Sequence, residues 1–408
     1  MAFNTALSGL RAANWDLSVT GNNIANASTT GFKRSRAEFA DVYANSILGS
    51  GSRAPGSGVL VSDIAQQFDQ GNISITNNSL DLAISGQGFF ILSDQGTRVY
   101  TRSGIFGLDN SGYVVSNTGA RLQGFGADIN GDIISGALTD LRIQTSDIAP
   151  NATTQVNLTF NLDSGSAVPG TAVFSPTDPT SYNWSTAATI YDSLGNPHVL
   201  TTYYVKNTPT PTGTDWDVYS TLDGGTAFNS LGTLSFNTGG ALIAPSPASL
   251  SDTWPAPGGA APLVFNLNLA GSTQFGAEFS VNSLTQNGYA PGRLSGINID
   301  DTGVIFARYT NGQALTLGQV ALANFANPQG LSPIGNTQWA ESFDSGQPVI
   351  GAPQTASLGS IQSGALEDSN VDLSEQLVNL IIAQRNFQAN AKTIETSDAV
   401  TQAIINLR

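Results

Sequence analysis

Apolar residues at the two ends of the chain recur with a helical period, and those between them recur with a strand period. In the last stretch, Gly364 to Arg408, no Gly or Pro follows Gly364. Leu373, Leu377, Leu380, Phe387, Ala391 and Ile394 fall in steps of three, four and seven, a heptad seam with Gln384 as its polar member. The apolar line then shifts to Val400, Ile404 and Leu407, as a four-residue stutter produces. Asp372 and Glu375 stand at capping-box spacing, so a helix is predicted over 372–407, roughly 54 Å long at 1.5 Å per residue.

A narrow seam of that length needs a second helix. The opposite end supplies it: Phe3, Leu7, Leu10, Leu17 and Ile24 also fit a heptad, with Asn14 and Gly21 as gaps. The two termini are therefore expected to pair as a coiled coil. An isolated helix in water is marginal, so their order is expected to depend on what packs against them.

GNNIANASTTGFKRSR (21–36) reads as an irregular connection, EFADVYANSIL (38–48) as a short helix or extended segment, and GSGSRAPGSG (49–58) as low-complexity. From Val59 short β-type runs alternate with turns: VLVSDIAQQF, NISIT, LDLAIS, GFFILS, GYVVS and ARLQGFG. Asp109-Asn110-Ser111-Gly112 is a hairpin-turn signal. Residues 146–284 are strand-like but richer in proline, and 285–355 return to the pattern of the first β segment. The expected fold is mainly β with terminal α-helices and two nested β-sandwich or barrel-like domains. The expected layout is 1–24 with 371–408 as helical domain, 25–70 with 356–370 as connector, 71–145 with 285–355 as inner β domain, and 146–284 as an outer insert.

Charge narrows the function. Only 11% of residues are charged, against the usual ~25%, and Gly, Ser, Thr and Asn fill much of the remainder. That make-up suits extracellular β-rich proteins. A net charge of -15 with three lysines (Lys33, Lys206, Lys392) argues against nucleic acid as partner. There is no Cys, so no disulfide or thiolate metal site is available. No apolar run long enough for a transmembrane helix occurs, and the start lacks the pattern of a cleaved signal peptide.

The search for an active site returns little. His198 is the single histidine and follows a Pro turn in DSLGNPHVL, where a surface position at a strand start is expected. There is no Gly-Lys dipeptide for a Walker A loop and no G-x-S-x-G elbow. Asp128–Asp132 imitates the start of a calcium loop. Ile133 and Thr139 stand where Gly and Glu are required, so a turn is expected. No enzyme, cofactor or metal site is expected.

ALSGLRAANWDLSVTGNNIANASTTGFKR, with NNIAN (22–26) and TGFK (30–33), resembles the start of the bacterial flagellar axial family of rod and hook proteins. SGQGFF (85–90), YTRSGIF (100–106), QVALANFANPQGL (319–331) and GALEDSNVDLSEQLVNLIIAQRNFQANAKTIETSD (364–398) extend the resemblance over both ends and both β segments. The large insert and YDSLGNPH (191–198) point to the hook branch. NSILGSGSRAPGSGVLV (45–61) is longer than in compact members, which bears on flexibility.

The resemblance implies a structural subunit that self-assembles into a curved tube and transmits torque as a flexible joint. The implied assembly seam is Phe3, Leu7, Leu10, Leu17, Ile24, Leu373, Leu377, Leu380, Phe387, Ile394 and Ile404. Phe39 and Tyr43 match the family's export-gate motif. The implied partners are further copies of the chain, rod proteins, the hook cap protein, the hook–filament junction proteins and the flagellar export apparatus. The implied location is the basal body and hook, outside the cell, reached without a cleaved signal. A rigid distal-rod subunit of the same family and a secreted β-rich adhesin are the rival classes.

Overall fold

The computed structural model of the chain describes residues 2–42, 56–128, 131–144, 146–255 and 257–406. Helix is concentrated at the two ends: α1 spans Ala2–Ala25 and α2 spans Leu373–Asn406, and the two pack together. Among the described residues between them, strands alternate with turns and irregular segments, with only two single-turn 3-10 helices. Asp372 caps α2 by accepting the backbone N–H of Ser374 (2.8 Å) and of Glu375 (3.2 Å). The reciprocal half of the capping box is not made. The Glu375 carboxylate turns instead to Arg34, 2.9 Å away.

The chain divides into two compact units. The first holds Met1–Thr145, Gly296–Arg308 and Ala314–Arg408; the second holds Ser146–Ser295 and Tyr309–Gln313. The sequence pattern sets the return to the first unit at 285, and the hydrogen bonding sets it later. Tyr289 pairs with Asn151 and Gly292 with Ile148, while Thr310 N–H donates to the Arg293 carbonyl and Asn311 Nδ2 to the Ala290 carbonyl.

In the first unit, β1 (Ser35–Asp41) and β2 (Val59–Gln66) form an antiparallel pair within the expected connector. Residues 38–41 are thus extended, with a register shift between Glu38 and Phe39. Two short strands, β3 (Ile73–Ile75) and β4 (Leu82–Ser85), pair with Ala365–Glu367 and Ser360–Ser363 on the way back to α2. The centre is β5 (Phe89–Asp94), flanked by β6 (Thr97–Thr101), Arg121–Ala127 and Leu322–Asn324. Its first four residues, FFIL, are buried on both faces. Phe90 and Leu92 join Leu82, Ile84, Val320 and Ile361 on one side. Phe89 and Ile91 join Tyr100, Phe325 and Trp339 on the other, where Phe325 meets Tyr100 edge-on at 4.8 Å between ring centroids. A continuous apolar run of this kind marks a strand covered on both faces.

The second unit is a sandwich of two five-stranded sheets. Gln155–Asp163 sends Val156, Leu158, Phe160 and Leu162 inward at period two, against Leu200, Tyr204, Trp216 and Phe236 of the facing antiparallel sheet. The expected turns are present. Gly112 N–H donates to the Asp109 carbonyl (3.0 Å) with φ of 82°. Asp128 Oδ1 accepts from Asp132 N–H (2.8 Å), closing a turn on itself.

His198 departs from expectation. It stands near the start of Pro197–Lys206 but is buried rather than on the surface. The turn before it curls so that Asp192 accepts the N–H groups of Leu194 and Asn196 and comes within 3.5 Å of His198 Nε2. Asp223 lies 2.7 Å from Nδ1. Burial alone would lower the imidazole pKa. The hydrogen bonds and charges of Asp223 and Asp192 outweigh it, and the net shift is upward. A raised folded pKa means that the folded unit holds the proton more tightly than the unfolded chain. Its stabilisation is present below the unfolded histidine value of about 6.5 and is lost as pH rises through the folded value. The melting temperature of the second unit should therefore fall as pH is raised from below about 6.5 up through the folded-state titration. In His198→Gln that part of the pH dependence should vanish, as calorimetry at a series of pH values would read.

Candidate functional site: the helix pair and its ionic neck

The helices are antiparallel and in register. Asn23 Nδ2 donates to Gln376 Oε1 (3.2 Å), and a Cβ placed on Gly9 would fall 2.6 Å from Asn390 Oδ1. Fourteen residues separate Asn23 from Gly9, and fourteen separate Gln376 from Asn390. On α2 the least exposed positions are Gln376, Asn379, Leu380, Ala383, Phe387, Asn390, Ala391, Ile394 and Ser397, a line of heptad spacing with Asn379 and Ala391 beside it. On α1, Ala6, Ala13, Thr20 and Asn23 are buried, while Leu10, Leu17 and Ile24 are partly buried.

The expected seam and the observed line of burial share one half. Leu10, Leu17, Leu380, Phe387 and Ile394 are on or beside the observed line, and Leu7 and Ile24 are partly buried. Phe3, Leu373 and Leu377 are about half exposed. The Ile404 side chain lies outside the described residues, as do Tyr43 and Leu407. Phe39, on β1, is exposed. The other half of the contact is built from small and polar residues: Gly9 lies against Asn390, Ala6 and Ala13 on α1 are buried, and Ala383 on α2 is completely buried. Small residues let two helix backbones approach closely, and they leave no apolar signal at those positions. The large apolar residues one step round α2 stay in solvent. Leu377, Val378, Ile381 and Ile382 are each about half exposed and form a stripe beside the paired face.

Below the helices four segments meet at a buried carboxylate. Glu367 Oε1 accepts from Lys33 Nζ (2.6 Å) and from Gly71 N–H (2.9 Å), and Glu367 Oε2 accepts from Arg102 Nη1 (3.2 Å). Glu367 and the Lys33 side chain are fully buried, and Arg102 nearly so. Lys33 Nζ donates also to the Asp69 carbonyl (2.7 Å), and Arg102 Nη2 to the Gly86 carbonyl (2.9 Å). Burial pulls the Lys33 and Arg102 pKa values below their ordinary levels, with Glu367 opposing the shift in both.

The approach is close. Gly31 has φ of 70°, and any Cβ there would strike the Ser103 backbone nitrogen. A Cβ on Gly71 would strike the Asp368 carbonyl. Two further links reach the helices. Asn23 Oδ1 accepts from Ser35 N–H (2.9 Å) while its Nδ2 donates to the Ser35 carbonyl (2.8 Å). Asn370 Oδ1 accepts from Arg34 N–H (2.8 Å), and its Nδ2 donates to the Gln67 carbonyl (2.8 Å).

Sequence reading misses this neck, although its members lie in the short stretches that carry the resemblance. TGFK holds Gly31 and Lys33, YTRSG holds Arg102, GALEDSN holds Glu367 and Asn370, and NNIAN holds Asn23. The available signal is the presence of two cations and one anion in a chain with few charges. Among the described residues no group of three or more His, Asp or Glu is arranged to hold a metal ion. No described helix is long and apolar enough to cross a membrane.

Four family models match along the chain. They are the flagella basal body rod protein (residues 3–33), the flagellar hook protein FlgE/F/G D1 domain (83–159), the flagellar basal body protein FlaE D2 domain (157–289) and the flagellar basal body rod FlgEFG protein C-terminal region (362–407). The flagellar hook protein FlgE of Escherichia coli is 40% identical over 100% of both chains. That of Salmonella typhimurium is 39% identical over 100% of both, and that of Borreliella burgdorferi 36% identical over 99% of this chain and 98% of its own. A crystal structure of a flagellar hook protein from Helicobacter pylori superposes with a TM-score of 0.56 at 15% identity, covering 72% of this chain and 100% of the other. That likeness concerns the fold.

The neck generates a stability prediction. Glu367→Gln leaves two buried cations without their anion and should destabilise the first unit by roughly 3–5 kcal/mol. The triple variant Lys33→Met, Arg102→Leu, Glu367→Leu removes all three charges and should recover much of that loss. Denaturant unfolding would measure both, with the transition of the second unit unchanged as internal reference.

Proposed function

The chain belongs to the flagellar hook protein family and is a structural subunit of the bacterial flagellar hook, and we propose how its residues carry that task. The single observation behind the reading is the stripe Leu377, Val378, Ile381 and Ile382. It stands in solvent beside a helix face already seated on α1. A second apolar face on an already paired helix calls for helices of neighbouring copies.

In this reading copies pack side by side through their terminal helices around a central channel. The expected seam residues, among them Leu10, Leu17, Leu380, Phe387 and Ile394, hold each pair together while the stripe joins one pair to the next. Repeated heterologous contacts that do not close produce a helical tube. The tube bends and passes torque from rod to filament as a universal joint. Rod proteins, the hook cap protein and the hook–filament junction proteins meet its two ends. Subunits travel unfolded through the flagellar export apparatus without a cleaved signal, with Phe39 and Tyr43 serving as the export-gate motif.

Two substitutions separate the layers of contact. Leu377→Ala trims the stripe and should cost about 2 kcal/mol per contact, enough to raise the critical concentration for polymerisation more than tenfold. Leu380→Ala acts within the pair, at about 2–5 kcal/mol, and should also block assembly. Neither should shift the melting of the β-strand regions. Sedimentation of assembled protein beside calorimetry of the monomer is the test. Normal polymerisation of both variants would remove the helices from the mechanism, and absence of any curved tube from the parent chain would remove the hook reading.

A further inference from the structure

Phe343 is fully exposed, the most exposed of the large apolar residues described. The loop that carries it, residues 341–346, is tied down by hydrogen bonds. Ser345 is completely buried; its Oγ accepts from Ser342 N–H (3.0 Å) and donates to the Ser342 carbonyl (2.9 Å). Ser342 Oγ donates to the Gly330 carbonyl (2.5 Å), and Asn327 Nδ2 donates to the Asp344 carbonyl (3.0 Å). Tyr100 Oη donates to Glu341 (3.2 Å) at the loop's root. A phenyl ring presented on a pinned loop loses little conformational freedom on docking, which is the character of an interface anchor.

The same unit carries a groove that suits it. Between α1 and β2 lies a groove of about 480 Å³ walled by Ala12, Trp15, Leu60, Val61 and Ile64, with Arg11 on its rim. Trp15 and Leu60 are each about half exposed. Other grooves of this unit are walled mainly by amides, hydroxyls and charged groups. The charges also match: Asp344 follows the ring in sequence, and neither Asp344 nor Arg11 forms an ion pair among the described residues.

We propose that Phe343 of one copy enters the groove between α1 and β2 of a second copy of this chain, with Asp344 meeting Arg11 at the rim. The inference rests on the hook-subunit reading, which supplies a polymer in which every copy is surrounded by others. A chain of net charge -15 repels its own copies, so self-association needs apolar anchors with a local charge match. Knob and socket are different patches of the same unit. The contact is therefore heterologous, the kind that builds an open helical polymer when its rotation does not close into a ring.

The chain has no Cys, so two introduced thiols are the only ones present. A Phe343→Cys, Leu60→Cys double variant, oxidised after assembly, should give a ladder of covalently linked chains on a non-reducing gel. Peptide mapping should place the link between positions 343 and 60 of different copies. Separately, Phe343→Ala should raise the critical concentration at least about tenfold with an unchanged monomer melting curve. Asp344→Arg and Arg11→Asp should each impair assembly, and the two together should restore it. A polymer that forms without a ladder, a link closed within one chain, or parent-like assembly of Phe343→Ala overturns the proposal. If the thiol variant itself does not assemble, the Phe343→Ala sedimentation decides. Failure of the unaltered chain to polymerise would instead strike the hook-subunit reading.

Discussion

The Glu367 carboxylate, buried between Lys33 and Arg102, is the constraint on which the first unit depends. It joins Lys33, Gly71 and Arg102, which lie 334, 296 and 265 residues away along the chain. Buried ions are costly to desolvate, and such a cluster adds little over apolar packing of the same volume. Its consequence is selective. Any arrangement in which one segment fails to arrive leaves an uncompensated charge in the interior, so the segments 31–34, 69–71, 102–103 and 367–370 must meet together. That fixes where α1 ends and where α2 begins, because Asn23 and Asn370 tie the adjoining backbones within a few residues of the cluster.

The helix pair has a different physics. Its contact joins the partly buried Leu10, Leu17, Leu380, Phe387 and Ile394 to small or polar members such as Gly9, Ala383 and Asn390, which permit close approach but bury little apolar area. Leu377, Val378, Ile381 and Ile382 of α2 are left outside it. A 34-residue helix held by so slight a seam gains much of its stability from whatever covers the stripe. The unit thus combines a firmly specified neck with helices that call for neighbours. Such a division suits a structural subunit that is locked in place by assembly.

Much of the architecture is legible in the sequence because it rests on periodicity. Leu380, Phe387 and Ile394 announce a helix, FFIL announces a strand, and Val156, Leu158, Phe160 and Leu162 alternate as one wall of a sandwich. The small half of the helix contact is not legible, since Ala383 and Asn390 carry no hydrophobic signal and the heptad runs through Leu373 and Leu377 instead. Nor is the neck. Lys33, Arg102 and Glu367 are distant in sequence, and burial of a charge is decided by tertiary closure. The β1–β2 pair reads as a connector because its strands are separated by a Gly- and Ser-rich stretch. His198 reads as a surface residue because a Pro turn precedes it, whereas two carboxylates draw it inward.

The central claim is that the neck is ordered in the single chain whereas the helices are secured by their neighbours. Backbone hydrogen exchange in monomer and in polymer tests it most directly. Amides around the neck, such as Gly31 and Gly71, should be protected in both states. Those of Leu373–Asn406 should exchange rapidly in the monomer and become protected by several orders of magnitude in the polymer. Equal protection of α2 in the two states, or loss of protection at the neck in the monomer, would contradict the account.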